Sequence, residues 1–209
     1  MIKPVTFLFT FAAIGLLLVA PVGVKAQELN PPQLVLQEAS DKMLNALVEY
    51  KSELEQAPEN IFPLVEEILI PHFDFQRMSR LALGRSWNDA TQEQQQRFVD
   101  EFRMLLVRTY ATAMLQYTDE EFRFMPFHDD LSKRRVDVPI QVIRRGAPNV
   151  PVAISMFQNN EGDWKVYDVK IEGVSLVTTY RSTFNRDIRN EGIEKLIESI
   201  SMRNRKVSS

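Results

Sequence analysis

Asp168 is the residue whose neighbours best suit it to chemistry. It stands inside the run Trp164-Lys165-Val166-Tyr167-Asp168-Val169-Lys170-Ile171, where strict strand alternation puts it on one face with Trp164 and Val166 and turns Tyr167, Val169 and Ile171 to the other. A carboxyl among apolar side chains resists ionisation and can serve as a general base. The competing reading is structural. Asp168 then accepts hydrogen bonds from backbone amides or an arginine and fixes the corner near Gly173, and this is the preferred reading.

The other candidates are weaker. The chain has only two histidines, His72 between Pro71 and Phe73 and His128 in the loop Phe127-His128-Asp129-Asp130, and neither has metal-ligand spacing. Asp129 and Asp130 beside His128 suggest a hydrolytic or metal cluster, but an acidic turn is usually only solvated. No Gly-x-Ser-x-Gly elbow, phosphate loop or dinucleotide fingerprint occurs. The absence of cysteine removes thiol nucleophiles, thiolate metal sites, disulfides and a lipid-modified cysteine. No catalytic residue, metal or cofactor is expected.

The elements that hold these residues follow from periodicity. At Gly173 the strand pattern gives way to a helical one, with Ser175 as N-cap. Upstream, Leu36, Ala39, Met43, Leu47, Tyr50 and Leu54 predict one amphipathic helix from Pro31 to about Gln56. Pro63 opens a short helix ending near Pro71, and Asp74 caps Phe75 to Leu83, which Gly84 stops. Asn88-Asp89-Ala90 reads as a break before a long helix, which a Thr91–Gln94 capping box starts and which runs to about Tyr117. Period two then sets in around Phe122 and Phe124, from Val136 to Val142, from Val152 to Met156, and from Trp164. Segments Ser175 to Arg189 and Ile193 to Ser201 close the chain as helices. The expected fold is α+β, with N-terminal helices packed on a twisted four-stranded antiparallel sheet.

The N-terminus gives a location. Lys3 precedes an apolar run, Val5 to Ala20, and Val24-Lys25-Ala26 offers a cleavage site after Ala26. Residues 1–26 therefore read as a signal peptide and residues 27–209 as one domain. Pro21 and Gly23 favour cleavage over an uncleaved anchor. Removing Lys3 and Lys25 takes the net charge from −3 to −5, which argues against a nucleic-acid partner. Basic residues are scattered, although the tail from Arg203 to Lys206 could touch anionic lipid weakly.

What remains is a surplus of large, soft apolar side chains: Phe73, Phe75, Met78, Leu81, Leu83 and Trp87, then Phe98, Phe102, Met104 and Met114. They suit either a filled core or the lining of a pocket for a flexible apolar ligand. Four segments bear on that choice. Trp164 to Arg181 resembles the W-x-x-Y-D…E-G-V-S-[LM]-[IV]-x-T stretch of the MlaC, or toluene-tolerance, family. Ile70 to Arg85 is similar to its P-x-x-[DQ]-[FV]…L-x-L-G segment. Trp87 to Gln94 with the Phe102 to Tyr117 helix, and Asn190 through Gly192 and Ile193 to Leu196, also fit.

The resemblance implies a cone similar to the nuclear-transport-factor (NTF2-like) fold with an internal apolar pocket that holds phospholipid acyl chains. It implies a periplasmic carrier that shuttles glycerophospholipid between outer and inner membrane, with no covalent chemistry and no cofactor besides its cargo. The implied partners are an outer-membrane lipoprotein–porin complex and an inner-membrane ABC transporter with an MCE-domain hexamer. Expected lining residues from the helices are Phe75, Met78, Leu81, Leu83, Phe98, Phe102, Leu105, Leu106 and Tyr110. From the sheet and corner they are Val138, Ile140, Ile154, Trp164, Val166, Val169, Val174 and Leu176. Two rivals stay open at this stage: a carrier for a rigid lipid such as a hopanoid, and an enzyme of the same cone fold that uses Asp168.

Overall fold

The computed structural model describes residues 28–115, 121–144 and 146–206. The proposed signal peptide and the last turn to Tyr117 lie outside them.

The helices form where caps and apolar stripes coincide. In α1, Pro31–Glu49, the Asn30 amide donates to Gln33 Oε1 at 3.0 Å, and Ala39, Met43, Ala46 and Leu47 form the buried face. The single helix expected to Gln56 is in fact two, since the chain bends at Tyr50 (φ −94°, ψ 14°) into α2, Lys51–Gln56. Across the bend Tyr50 N still bonds to Ala46 O and Leu54 N to Tyr50 O, both at 2.9 Å. The bend lets Leu54 join Met43, Leu47, Ile61 and Val65 in one cluster. Next come α3, Ile61–Ile68, α4, Phe75–Leu83, and α5, Ser86–Asp89, which occupies part of the expected break. Asp74 Oδ1 caps α4 by accepting from the Arg77 amide at 2.7 Å. The long helix α6, Gln92–Met114, starts with the expected box: Gln94 N donates to Thr91 Oγ1 at 3.2 Å and Thr91 N to Gln94 Oε1 at 3.1 Å.

The sheet has five strands in chain order, β1 Glu121–Phe124, β2 Arg135–Ile143, β3 Val150–Gln158, β4 Trp164–Ile171 and β5 Val174–Ser175, all antiparallel. The four-strand expectation missed β5 because it is only two residues long. Glu172 (φ 51°) and Gly173 (φ 80°) make the two-residue turn into it, since positive φ at both central positions matches the right-handed twist of a hairpin. Ser175 then caps α7, Leu176–Glu191, through the Thr178 amide at 3.0 Å. The chain closes with α8, Ile193–Lys206.

One irregularity in β4 changes which residues share a face. Ser155 pairs with Asp168 and Met156 with Val166, so Tyr167 is an extra residue with no partner. The bulge corrects the sequence reading of Asp168. Strict alternation put Asp168 with Trp164 and Val166, but register places it beside Ser155 on the opposite face. Val169 and Ile171 instead pair with Ile154 and Val152 and join Trp164 and Val166.

That face carries Val136, Val138, Ile140, Met156, Trp164 and Val166, packed under Val35, Leu36 and Phe73. A second core, around Phe98, Phe102 and Phe184, lies among α4, α6, α7 and α8. Phe73 joins the two cores: it bridges to Val166, and the Asp74 amide donates to Val166 O at 2.9 Å.

Candidate functional site: an apolar cavity

The three apolar clusters do not merge completely. Between them lies a cavity of about 260 Å³ whose lining presents no polar surface. Its walls are Val65 of α3, Leu69 and Ile70 beyond it, Phe73, Phe75 and Met78 at α4, Leu106, Val107, Tyr110, Ala111 and Met114 of α6, Val169 and Ile171 of β4, and Leu176 of α7. The bulge at Tyr167 supplies the β4 wall by keeping Val169 and Ile171 on the inner face. At the rim, Tyr110 is 41% and Ile171 45% exposed, so the cavity borders solvent there.

Of the expected lining residues, the cavity brings together Phe75, Met78, Leu106, Tyr110, Val169 and Leu176. Leu83, Phe98 and Phe102 are fully buried in the helical core, with Leu105 packed on it. Val138, Ile140, Ile154, Trp164 and Val166 fill the space between the sheet and α1. Leu81 and Val174 face outward, the latter 63% exposed on the short edge strand. Val65, Leu69, Ile70, Val107, Ala111 and Ile171 were not anticipated. On α6 the signal was present, since Leu106, Tyr110 and Met114 recur every four residues with Val107 and Ala111 beside them.

A larger concavity of about 390 Å³ is lined by Gln76, Gln92, Gln95, Gln96, Trp87 and Val99. Gln95 Nε2 is already bonded to Trp87 O at 2.8 Å and Ala90 O at 3.3 Å. An amide-lined dish cannot shelter hydrocarbon, so the smaller apolar cavity is the candidate site.

The three carboxylates weighed as catalytic each accept hydrogen bonds. Asp168 Oδ1 accepts from the Val169 and Val177 amides at 2.9 and 3.0 Å, and its Oδ2 from Ser175 Oγ at 2.6 Å. It does not line the cavity. Asp129 Oδ2 accepts from the Asp137 amide at 2.6 Å, and Asp130 Oδ1 from the Ser132 amide at 2.9 Å. Bonding to Ser132 holds the Asp130 carboxyl below its usual range. Burial, aided by Lys165, pushes His72 down from its ordinary value. Among the described residues no cluster of His, Cys, Asp or Glu could hold a metal ion.

Beside the cavity, Tyr180 packs against Phe102 and Phe184 with ring centroids 5.2 and 5.3 Å apart. Burial, together with the neighbouring Tyr110, raises the Tyr180 phenol to about 12.

A sheet half-covered by helices, with an apolar hollow between the end of β4 and the helices, defines an α+β domain suited to binding an apolar ligand. Comparison with known proteins gives the family. The MlaC protein family model matches residues 37–202, and the chain belongs to that family. The intermembrane phospholipid transport system binding protein MlaC of Haemophilus influenzae is 24% identical over 170 residues, covering 79% of this chain and 78% of its own length. The toluene tolerance protein ttg2D of Pseudomonas putida is 26% identical over 186 residues, 88% of this chain and 86% of the relative. A phospholipid-binding protein from Ralstonia solanacearum, solved in complex with a phospholipid, superposes with a TM-score of 0.78 at 30% identity and covers 86% of this chain and 100% of that one.

Proposed function

We propose that this protein is a soluble periplasmic carrier that takes up glycerophospholipid by its acyl chains and moves it between the outer and inner membranes, performing no covalent chemistry. The observation that carries the reading is the cavity between α6 and the end of β4, whose lining is apolar throughout. The phospholipid bound by the Ralstonia relative supports the same ligand class. Among the described residues no helix is long and apolar enough to cross a membrane. Export by a signal peptide cut after Ala26 would bring the domain to the periplasm. Its partners there are a lipoprotein–porin complex at the outer membrane and an ABC transporter with an MCE-domain hexamer at the inner one.

Physical chemistry gives such a carrier its task. Exposing a methylene to water costs about 0.8 kcal/mol, so freeing two chains of about sixteen carbons costs on the order of 20 kcal/mol. A cavity of about 260 Å³ lies below the roughly 300–1,000 Å³ typical for sites that enclose drug-sized ligands. The lipid-loaded state is therefore wider, with the walls of α3, α6 and α7 drawn apart. Mass spectrometry of the protein purified from its own cell envelope without detergent tests the reading. Co-purified diacyl phospholipid is the expected result; a polycyclic lipid, or no lipid after extraction under conditions that preserve the fold, would overturn it.

A further inference from the structure

The helical walls of the cavity differ in what their movement would break. α4, α6 and α7 each bury side chains in the aromatic core, where the Phe102 ring lies 5.5 Å from both Phe98 and Phe184. α3 sends none there. It packs chiefly on α1 and α6, presents Val65 to the cavity, and is followed at once by the lining residues Leu69 and Ile70. Single 3-10 turns flank it, Pro58–Asn60 before and Ile70–His72 after, with the poorer hydrogen-bond geometry of that form.

The two ends of α3 are held unequally. At the second turn the chain is pinned to β4, because Lys165 Nζ donates to Pro71 O at 3.0 Å and the Asp74 amide to Val166 O at 2.9 Å. At the first turn Asn60 Nδ2 donates to Glu53 Oε1 at 2.7 Å, which ties α3 to α2 and not to the sheet. Along its flank α3 meets α6 through two surface contacts. Glu66 Oε2 lies 3.4 Å from Arg103 Nη2, and the Arg108 guanidinium carbon lies 5.6 Å from the centre of the Phe62 ring. The Glu66 and Arg103 side chains are 39% and 43% exposed, so salt screens the pair.

We propose that α3 is the door of the cavity, hinged at Ile70–His72 and latched to α6 by the Glu66–Arg103 and Phe62–Arg108 contacts. Swinging about the pinned end carries α2 along and separates Val65 from Val107 and Ala111 of α6, with which it is clustered. The aromatic core stays closed. Acyl chains then cover the apolar surface that α3 gives up, so loading costs little burial. Each surface contact is weak, and the latch therefore yields to hydrocarbon while keeping the empty cavity shut. The inference rests on the carrier reading and names the part of the fold that moves in it.

The test exploits a chain without cysteine. Glu66→Cys with Arg103→Cys, joined on the folded protein by a short bis-maleimide, fastens α3 to α6. Arg97→Cys with Glu194→Cys, whose native side chains pair at 2.7 Å, fastens α6 to α8 as the control. Delipidated proteins are offered dioleoyl phosphatidylglycerol vesicles, and uptake is followed by native mass spectrometry. Linking α3 is expected to abolish loading, and linking α8 to leave it unchanged. Loading of the α3-linked protein at the unlinked rate overturns the door, and so does a block in both linked proteins, since the motion would then not belong to α3. A wild type that takes up no lipid overturns the carrier reading instead. At low salt Arg103→Gln is expected to load about two- to fivefold faster than wild type, the range of a surface ion pair, with the gap closing at high salt. A variant no faster than wild type overturns the latch.

Discussion

The hydroxyl of Ser175 donates to Asp168 Oδ2 across 2.6 Å while its oxygen accepts the Thr178 amide at 3.0 Å. Two side chains thereby join the end of β4 to the first turn of α7. The second carboxylate oxygen, through the Val177 amide, makes the junction bidentate.

Replacing Asp168 by Ala should therefore cost stability. Three hydrogen bonds to a carboxylate that is 7% exposed are lost, and the expected loss is about 2–4 kcal/mol. Urea denaturation measures it. A loss below about 1 kcal/mol would contradict a structural role at this corner.

Gly84 tests backbone strain apart from crowding. Its φ is +58°, and a Cβ there would meet Arg181 Nε at 2.9 Å. Gly84→Ala is expected to destabilise by about 1–3 kcal/mol. Arg181 is exposed and can swing away, so adding Arg181→Ala should recover little of the loss. Full recovery in the double variant would show that crowding, not the backbone, was responsible.

Cavity residues and core residues should respond differently. Ala111 is 2% exposed and lines the hollow, so Ala111→Phe fills space that cargo needs. Lipid carried per folded molecule is expected to fall severalfold, with stability altered by less than about 2 kcal/mol. Val138 is fully buried away from the cavity, and Val138→Ala should cost about 2 kcal/mol or more while lipid per folded molecule persists. The opposite pairing of outcomes would place the ligand against the sheet core instead.

The pair Lys170–Asp137, 2.6 Å apart, gives a pH signature. Burial raises the Asp137 carboxyl, but bonds from Lys170 and Ser155 outweigh it and leave the group below its usual value. A depressed acid contributes stability above its unfolded pKa and loses it as pH falls through the folded one. Lys170 is raised, chiefly by its bond to Asp137, so its share is present below its unfolded pKa and is lost in strong alkali. Both groups are partly solvated, and screening limits the pair to about 1 kcal/mol or less. The stability gap between wild type and Asp137→Asn should be constant near neutrality and should close below about pH 4. A gap that persists in acid would remove the pair as its source.

Much of this architecture is written locally in the chain. The Asp74 cap, the Thr91–Gln94 box and the Ser175 cap each depend on residues within one turn, and all three form where the sequence puts them. The lining was harder to read because a single helix presents apolar residues to two destinations. On α6, Phe98 and Phe102 go into the core while Leu106, Tyr110 and Met114 go to the hollow. Only the positions of α3 and β4 decide which is which. The face of Asp168 was not legible, because a one-residue bulge leaves no mark on composition or period.

Were Tyr167 to take a partner on β3 as its neighbours do, the zigzag from Trp164 would run unbroken to the end of the strand. Everything after that point would then be inverted, with the Asp168 carboxyl thrust into the greasy hollow and Val169 and Ile171 cast out of it. One unpaired tyrosine thus acts as the phase marker that decides whether this wall repels water or attracts it.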